Sequence, residues 1–294
     1  MWRGGVGSAL RRRSQDDPWG LQMRNLGYSA ALFGAAMLAL APRAEAQAPP
    51  APAAKPYEYT PWYEQKIIPA PLSATIAFWS NYRFRGISQT SNAPGYNGSL
   101  DFEQEVLPWA TFYAGIWASN INFNGGLKPR VEVDVYGGFK GKVFEKLSWN
   151  VQLIGYLYPG STASQALNYF EVMPSLSWDF GFMEVGGGVA ISPNYTVGSG
   201  FATWTFGDVT VPIPIEILQP YKVAAFGHVG YQAIEKNAKF GTPDYLEWEV
   251  GVKWELYGFK MAVKYGDTNL KRSECFGGLD WCRATAVFVV SKTF

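Results

Sequence analysis

The sequence predicts an all-β protein, a transmembrane antiparallel up-and-down β-barrel of about twelve strands. Three observations predict it. From Leu72 on, apolar and polar residues alternate with period two in segments of roughly ten residues separated by turn residues. The links between those segments sort into short and long ones in alternation, as an up-and-down barrel requires and a soluble sandwich does not. The composition is that of a two-faced surface: aromatics make up 16% of the chain and charged residues 17%, with 32 glycines, and the mean hydropathy is near neutral. Stacked transmembrane helices would raise that hydropathy well above neutral. With 25 basic against 24 acidic residues and a net charge of +1, the chain lacks the basic excess of a nucleic-acid binder.

The amino-terminal segment reads as an address. Arg24 begins a positive region, Tyr28 to Ala41 form an apolar run, and Ala44-Glu45-Ala46 is a small-x-small cleavage site. The run is about 14 residues, short of the roughly 20 that a spanning helix needs. A removable signal peptide is therefore expected within a leader of residues 1–46, with cleavage after Ala46. Arg11-Arg12-Arg13 is followed by polar Ser14-Gln15-Asp16-Asp17 rather than by apolar residues, so Met23 is the preferred start of translation. Residues 47–71 open with QAPPAPAAK, a Pro/Ala-rich stretch that forms no core and reads as a stiff lead-in.

The barrel is expected over 72–294. Its segments lie near 72–86, 95–105, 108–120, 130–141, 146–159, 166–178, 181–192, 200–211, 220–232, 244–256, 258–266 and 282–294. The clearest is Tyr245–Leu256, with Leu246, Trp248, Val250, Val252 and Trp254 on one face and Glu247, Glu249, Gly251, Lys253 and Glu255 on the other. The eighth, around Trp204 and Phe206, alternates weakly. Pro212 to Pro220 is long for a short-side link, and its three prolines interrupt ladder hydrogen bonding. Trp79, Trp109, Trp149, Trp178, Trp254 and Tyr265 lie near strand ends, where amphipathic rings form headgroup girdles. Cys275 and Cys282 lie close together in a polar, Gly-containing stretch. In an oxidising compartment this spacing suggests a small loop disulfide, two free thiols being the alternative.

If the apolar faces meet lipid, the opposite faces line the interior. That set comprises Arg83 and Arg85 on the first strand, then Asp101, Glu103, Arg130, Glu132, Asp134, Glu171, Lys222, His228, Glu247, Glu249, Lys253, Lys260 and Lys264, with Arg283 on the closing strand. Arg83 and Arg85 are expected to face Asp101 and Glu103 across an antiparallel pair. Both signs of charge on one water-filled wall give a transverse field for polar solutes, or cross-strand ion pairs that brace the wall. His228 is the only histidine, which excludes a multi-histidine metal site. A hydrolase would need it beside a nucleophile, yet the alternation points it inward and no G-x-S-x-G motif is present. No catalytic residue, metal or cofactor is expected.

The first segment and its loop read Ser80-Asn81-Tyr82-Arg83-Phe84-Arg85-Gly86-Ile87-Ser88-Gln89-Thr90. Further on come Pro94, Gly98-Ser99-Leu100-Asp101, Tyr113-Ala114-Gly115-Ile116-Trp117-Ala118-Ser119-Asn120, Tyr158-Pro159-Gly160 and Asn168-Tyr169-Phe170-Glu171-Val172. These stretches resemble the TorF family of porins of Gram-negative bacteria over most of the chain after the leader, above all from about 75 to 175. The resemblance implies an outer-membrane barrel and a channel with no established substrate. The expected function is passive diffusion of small hydrophilic solutes, the alternative a non-conducting structural or surface-binding barrel. Expected partners are outer-membrane lipids and lipopolysaccharide, small solutes, and the barrel-assembly machinery, which reads terminal aromatics such as Phe294. Lys292 shares the face of Phe288, Val290 and Phe294 and is expected to snorkel at the interface.

Overall fold

The computed structural model describes residues 68–123 and 128–294. The expected leader (1–46) and most of the lead-in (47–71) lie outside the described residues. Fourteen strands follow in order: β1 (Leu72–Trp79), the two-residue β2 (Arg83–Phe84) and β3 (Ile87–Ser88), β4 (Gly95–Leu107), β5 (Ala110–Asn120), β6 (Val131–Lys142), β7 (Leu147–Leu157), β8 (Tyr169–Asp179), β9 (Glu184–Ser192), β10 (Ala202–Pro212), β11 (Ala224–Ile234), β12 (Tyr245–Leu256), β13 (Phe259–Thr268) and β14 (Thr285–Thr293). Strands β1 and β4–β14 form one closed antiparallel barrel in which each strand pairs with its sequence neighbour and β1 closes on β14. Closure leaves no unpaired edge, which lets strands satisfy their backbone polar groups inside lipid. The expected fold is the observed one.

The links confirm the up-and-down order. One end of the barrel, here the near end, carries the tight turns 108–109, 143–146, 180–183 and 257–258, plus the proline-bearing 213–223. The other, far end carries loops L1 (80–94), L2 (described at 121–123 and 128–130), L3 (158–168), L4 (193–201), L5 (235–244) and L6 (269–284). At the seam Thr75 pairs with Thr293 and Trp79 with Val289, and the Phe294 N–H donates to the Ala74 carbonyl at 2.8 Å.

The strand pleat sends alternate side chains to opposite faces. On the outside, Leu100 is 60% exposed, Leu153 57%, Val250 51% and Val263 47%. A soluble protein rarely exposes an apolar patch beyond roughly a few hundred Å²; here the apolar surface runs around the whole wall, so its solvent is lipid. Exposed Trp109, Phe144, Phe180, Phe182 and Tyr257 ring the near end, and Tyr96, Phe170 and Tyr231 the far end, in the manner of interfacial girdles. Lys292 lies on this outer face with its ammonium 5.4 Å from the Phe259 ring centre.

Three expectations are corrected. The first strand ends at Trp79 rather than near 86, and the indole of Trp79 turns inward, where it meets Tyr82 edge-on at 5.5 Å, instead of joining a girdle. The ninth expected segment, 220–232, begins as β11 only at Ala224, because 216–221 coil into a 3-10 turn and Lys222 takes a left-handed conformation (φ 47°). The last strand begins at Thr285 rather than 282. Weak alternation in β10 has a physical cause: its inward residues include Trp204 and Phe206, stacked at 4.4 Å, while its outward ones include Thr203 and Thr205.

Candidate functional site

The core lies inside the barrel, in its far half. L1 turns inward after Trp79, and Asn81, Tyr82, Arg83, Arg85, Ile87, Ser88, Gln89 and Thr90 are all buried. The cause is local. Arg83 pairs with Ser88 and Phe84 with Ile87, leaving Arg85–Gly86 as a two-residue turn with φ of 48° and 75°. Positive φ at both central residues is the signature of the type I′ turn that joins tight hairpins. Only glycine fits the second position: a Cβ on Gly86 would lie 2.6 Å from Thr268 Cγ2 and 2.7 Å from Glu247 Cβ.

Wall and loops hold this hairpin from several sides. Tyr82 donates its hydroxyl to Glu132 on β6 at 3.1 Å. Arg83 donates to Thr285 at 3.3 Å and to the Gly86 carbonyl. The Tyr245 hydroxyl of β12 donates to the Arg85 carbonyl at 3.0 Å. Ser88 donates its backbone N–H to Trp281 in L6 at 3.0 Å, and Gln89 accepts from the Asn122 N–H of L2 at 2.8 Å. L6 is closed by a disulfide between Cys275 and Cys282, S–S 2.03 Å. Tyr82, Tyr156, Tyr158, Tyr169 and Tyr195 pack with Ile121, Leu167 and Ile234 around the hairpin.

The centre of the assembly is Arg85. Its Nη1 and Nη2 donate to Glu171 Oε1 and Oε2 at 2.9 and 2.5 Å, and Nη1 also donates to Gln232 at 3.0 Å. The guanidinium carbon stands 4.6 Å from the ring centres of both Phe84 and Trp204. Burial opposes the Arg85 charge, but the Glu171 carboxylate outweighs it and holds the guanidinium well above the ordinary arginine value.

This placement overturns the expected pairing of Arg83 and Arg85 with Asp101 and Glu103. The two arginines are not wall residues; they ride on a loop that crosses the lumen to β8 and β14. Asp101 instead accepts from Tyr136 and from Ser99 at 2.6 Å, and Glu103 pairs with Lys140 at 2.6 Å. Three further residues fall off the strands. Arg130 precedes β6, is exposed, and donates to Asn122 at 3.1 Å. Lys222 sits in the near-end link and pairs with Glu255 at 2.6 Å. Arg283 lies in L6, exposed, 3.1 Å from Asp280. In each case the strand starts after the charged residue, because the backbone there follows a loop path.

The remaining residues face the interior from the wall. Glu132, Asp134, Glu171 and Glu247 are buried against L1. Lys264 pairs with Glu249 at 2.7 Å, Lys253 donates to Thr210 at 3.3 Å, and Lys260 stands opposite Glu255 in register. His228 is bound through both ring nitrogens, Nδ1 to Asp208 at 2.6 Å and Nε2 to Glu247 at 2.8 Å. Both ring nitrogens are thus within hydrogen-bond reach of a carboxylate, which fixes the ring between β10 and β12. Glu247 also accepts from the Trp204 indole at 3.2 Å, which joins His228 to the ring beneath Arg85. Lys140, Asp208, Gln232 and Trp204 were not among the expected site residues. Lys140, Asp208 and Gln232 share inward registers with residues that were, and pattern alone could have found them; Trp204 needed the loop.

Several solved structures are similar to this barrel. The KdgM porin matches at 8% identity and TM-score 0.46 over 76% of this chain and 98% of its own. The NanC porin matches at 12% and 0.44 over 76% and 98%, and LpxR from Salmonella typhimurium at 10% and 0.42 over 76% and 99%. No curated protein matches the chain. The family model of a bacterial protein of unknown function, Gcw_chp, matches residues 65–294, which takes in the whole barrel, and the chain belongs to that family.

Proposed function

We propose that this protein is a porin-like channel of the bacterial outer membrane, with TorF-like character, that passes small hydrophilic solutes by passive diffusion and is constricted by L1. The observation that carries the reading is the contrast between an apolar outer wall and an inner wall that is polar along its near half. There Lys140–Glu103 lines the interior and Lys222–Glu255 its mouth, with Lys264–Glu249 near mid-height, so both signs of charge are present, as in channels that orient polar solutes. In this reading L1–L6 face outward from the cell, the girdles meet phospholipid and lipopolysaccharide, and Phe294 serves recognition by the assembly machinery.

A second reading has its own support. Glu132, Glu171 and Glu247 are each 1% exposed, so the far half of the lumen is packed as a protein core is. That favours a non-conducting, structural or surface-binding barrel. A hydrolase has less support, since both His228 nitrogens are taken by carboxylates and neither is aimed at a nucleophile. Planar-bilayer recordings separate the first two. Small stepwise openings are expected from the native protein and several-fold larger ones after replacement of residues 82–89 by a short Gly/Ser linker. Silence from both well-folded proteins would select the non-conducting barrel.

A further inference from the structure

Arg85 makes two kinds of contact that belong to different parts of the chain. Its main chain belongs to L1; its guanidinium is received by the wall. The receiving groups are Glu171 of β8, Gln232 of β11, Trp204 of β10 and Tyr195 of L4, the last ring 6.0 Å from the guanidinium carbon. Glu171 is itself aimed by the Tyr156 hydroxyl, which donates to Oε2 at 3.1 Å. Trp204 is fixed on its far side by Phe206 and at its N–H by Glu247. A planar fork against a carboxylate with an aromatic face over it is the arrangement that favours guanidinium over ammonium.

The loop supplies the guanidinium imperfectly. Arg85 holds a left-handed φ of 48°, which a side chain with a Cβ adopts at a cost. Its Nε is buried without a hydrogen-bond partner, and such an unsatisfied donor also disfavours the bound form. A small alkylguanidinium with no main chain attached bears no left-handed backbone cost and makes the same contacts with Glu171, Gln232 and Trp204.

We propose that Arg85 occupies, in cis, a guanidinium-binding site of the lumen wall, and that a solute bearing a free guanidinium group takes the same site when the hairpin is displaced. The hairpin tip is then an internal mimic of the solute. The route by which solute reaches the site rests on the channel reading; the site itself does not.

The test is replacement of Arg85 by alanine and rescue with ethylguanidinium. In detergent, Arg85→Ala lowers the thermal midpoint, and millimolar ethylguanidinium restores at least half of that loss, since a ligand that binds only the folded state stabilises it. Ethylammonium at equal ionic strength restores much less. The double variant Arg85→Ala/Glu171→Gln shows no rescue, and the native protein, already occupied, shows no shift. Equal shifts in native and variant protein, or none in Arg85→Ala, would overturn the site. If Arg85→Ala does not fold unaided, its refolding yield with and without ethylguanidinium gives the same readout, an unchanged yield counting against the site. In bilayers, ethylguanidinium is expected to reduce the Arg85→Ala current. Rescue with a silent channel keeps the site and removes the channel reading; conduction without rescue does the reverse.

Discussion

The far half of the lumen and its near mouth solve the problem of interior charge in opposite ways. In the far half, Arg85 and Glu171 have side-chain exposures of 3% and 1%, and their partners are fixed rings and amides. At the near mouth, Lys222 and Glu255 are 51% and 22% exposed, whereas deeper in the near half Lys140 is 4% exposed beside Glu103 at 27%. A buried pair draws its strength from exclusion of water and suffers badly when one member is removed. A solvated pair is screened and nearly expendable. The barrel wall is continuous through both halves, so the difference comes from L1, which supplies the far half with a core.

The largest expected effect follows from that contrast. Glu171→Ala strands the Arg85 guanidinium among rings, and loss of one partner of a buried pair typically costs about 3–5 kcal/mol. Urea titration of the folded barrel in micelles, read by tryptophan fluorescence, measures it. A loss under about 1 kcal/mol, as exposed pairs show, would mean that water reaches Arg85 and that the far half is not a core.

A sharper comparison uses one turn type at both ends. Arg85–Gly86 inside the lumen and Tyr257–Gly258 at the near end are both two-residue turns with positive φ at each position, 48° and 75° against 50° and 73°. Gly→Ala at either site incurs the left-handed penalty of roughly 1–2 kcal/mol. Gly258 is exposed, whereas Gly86→Ala also drives a methyl into Thr268 and Glu247, adding roughly 1–3 kcal/mol of overpacking. The difference between the two variants, measured by the same titration, isolates packing from backbone strain. Equal losses would show that L1 yields freely where it touches the wall.

These two turns also show what could be read from the sequence. Tyr257–Gly258 separates long alternating arms, and Leu256 pairs with Phe259 across it, so pattern alone placed it as a short link. Arg85–Gly86 separates arms of two residues. Tyr82-Arg83-Phe84-Arg85 alternates as a strand does, and nothing local distinguishes a wall strand from a hairpin folded across the lumen. The twelve barrel strands were legible because one side of each faces lipid and the other does not. The Arg85 box was not, since its members come from β8, β10, β11 and L4 and meet only through closure of the barrel. Glu171 was legible as an inward residue but not as the partner of a loop arginine, because the partner's position depends on a turn rather than on a register.

The smallest expected effect belongs to the near mouth and tests the other side of the comparison. Lys222 follows a 3-10 turn in the link after β10, and its ammonium reaches Glu255 on β12 at 2.6 Å while half of the side chain stays in water. Such a pair gains modest Coulomb energy and spends side-chain entropy to hold its geometry, so Lys222→Ala is expected to lower stability by less than about 1 kcal/mol. Salt should erase even that, since the Debye length shrinks from about 10 Å at 0.1 M to about 3 Å at 1 M. The Glu171→Ala loss should persist at high salt, because buried pairs are screened much less. Titrating both variants at the two salt concentrations therefore assigns each region its own response. A Lys222→Ala loss that is large and indifferent to salt would place the near mouth in the same dry regime as the far half, and the distinction between the two would fail.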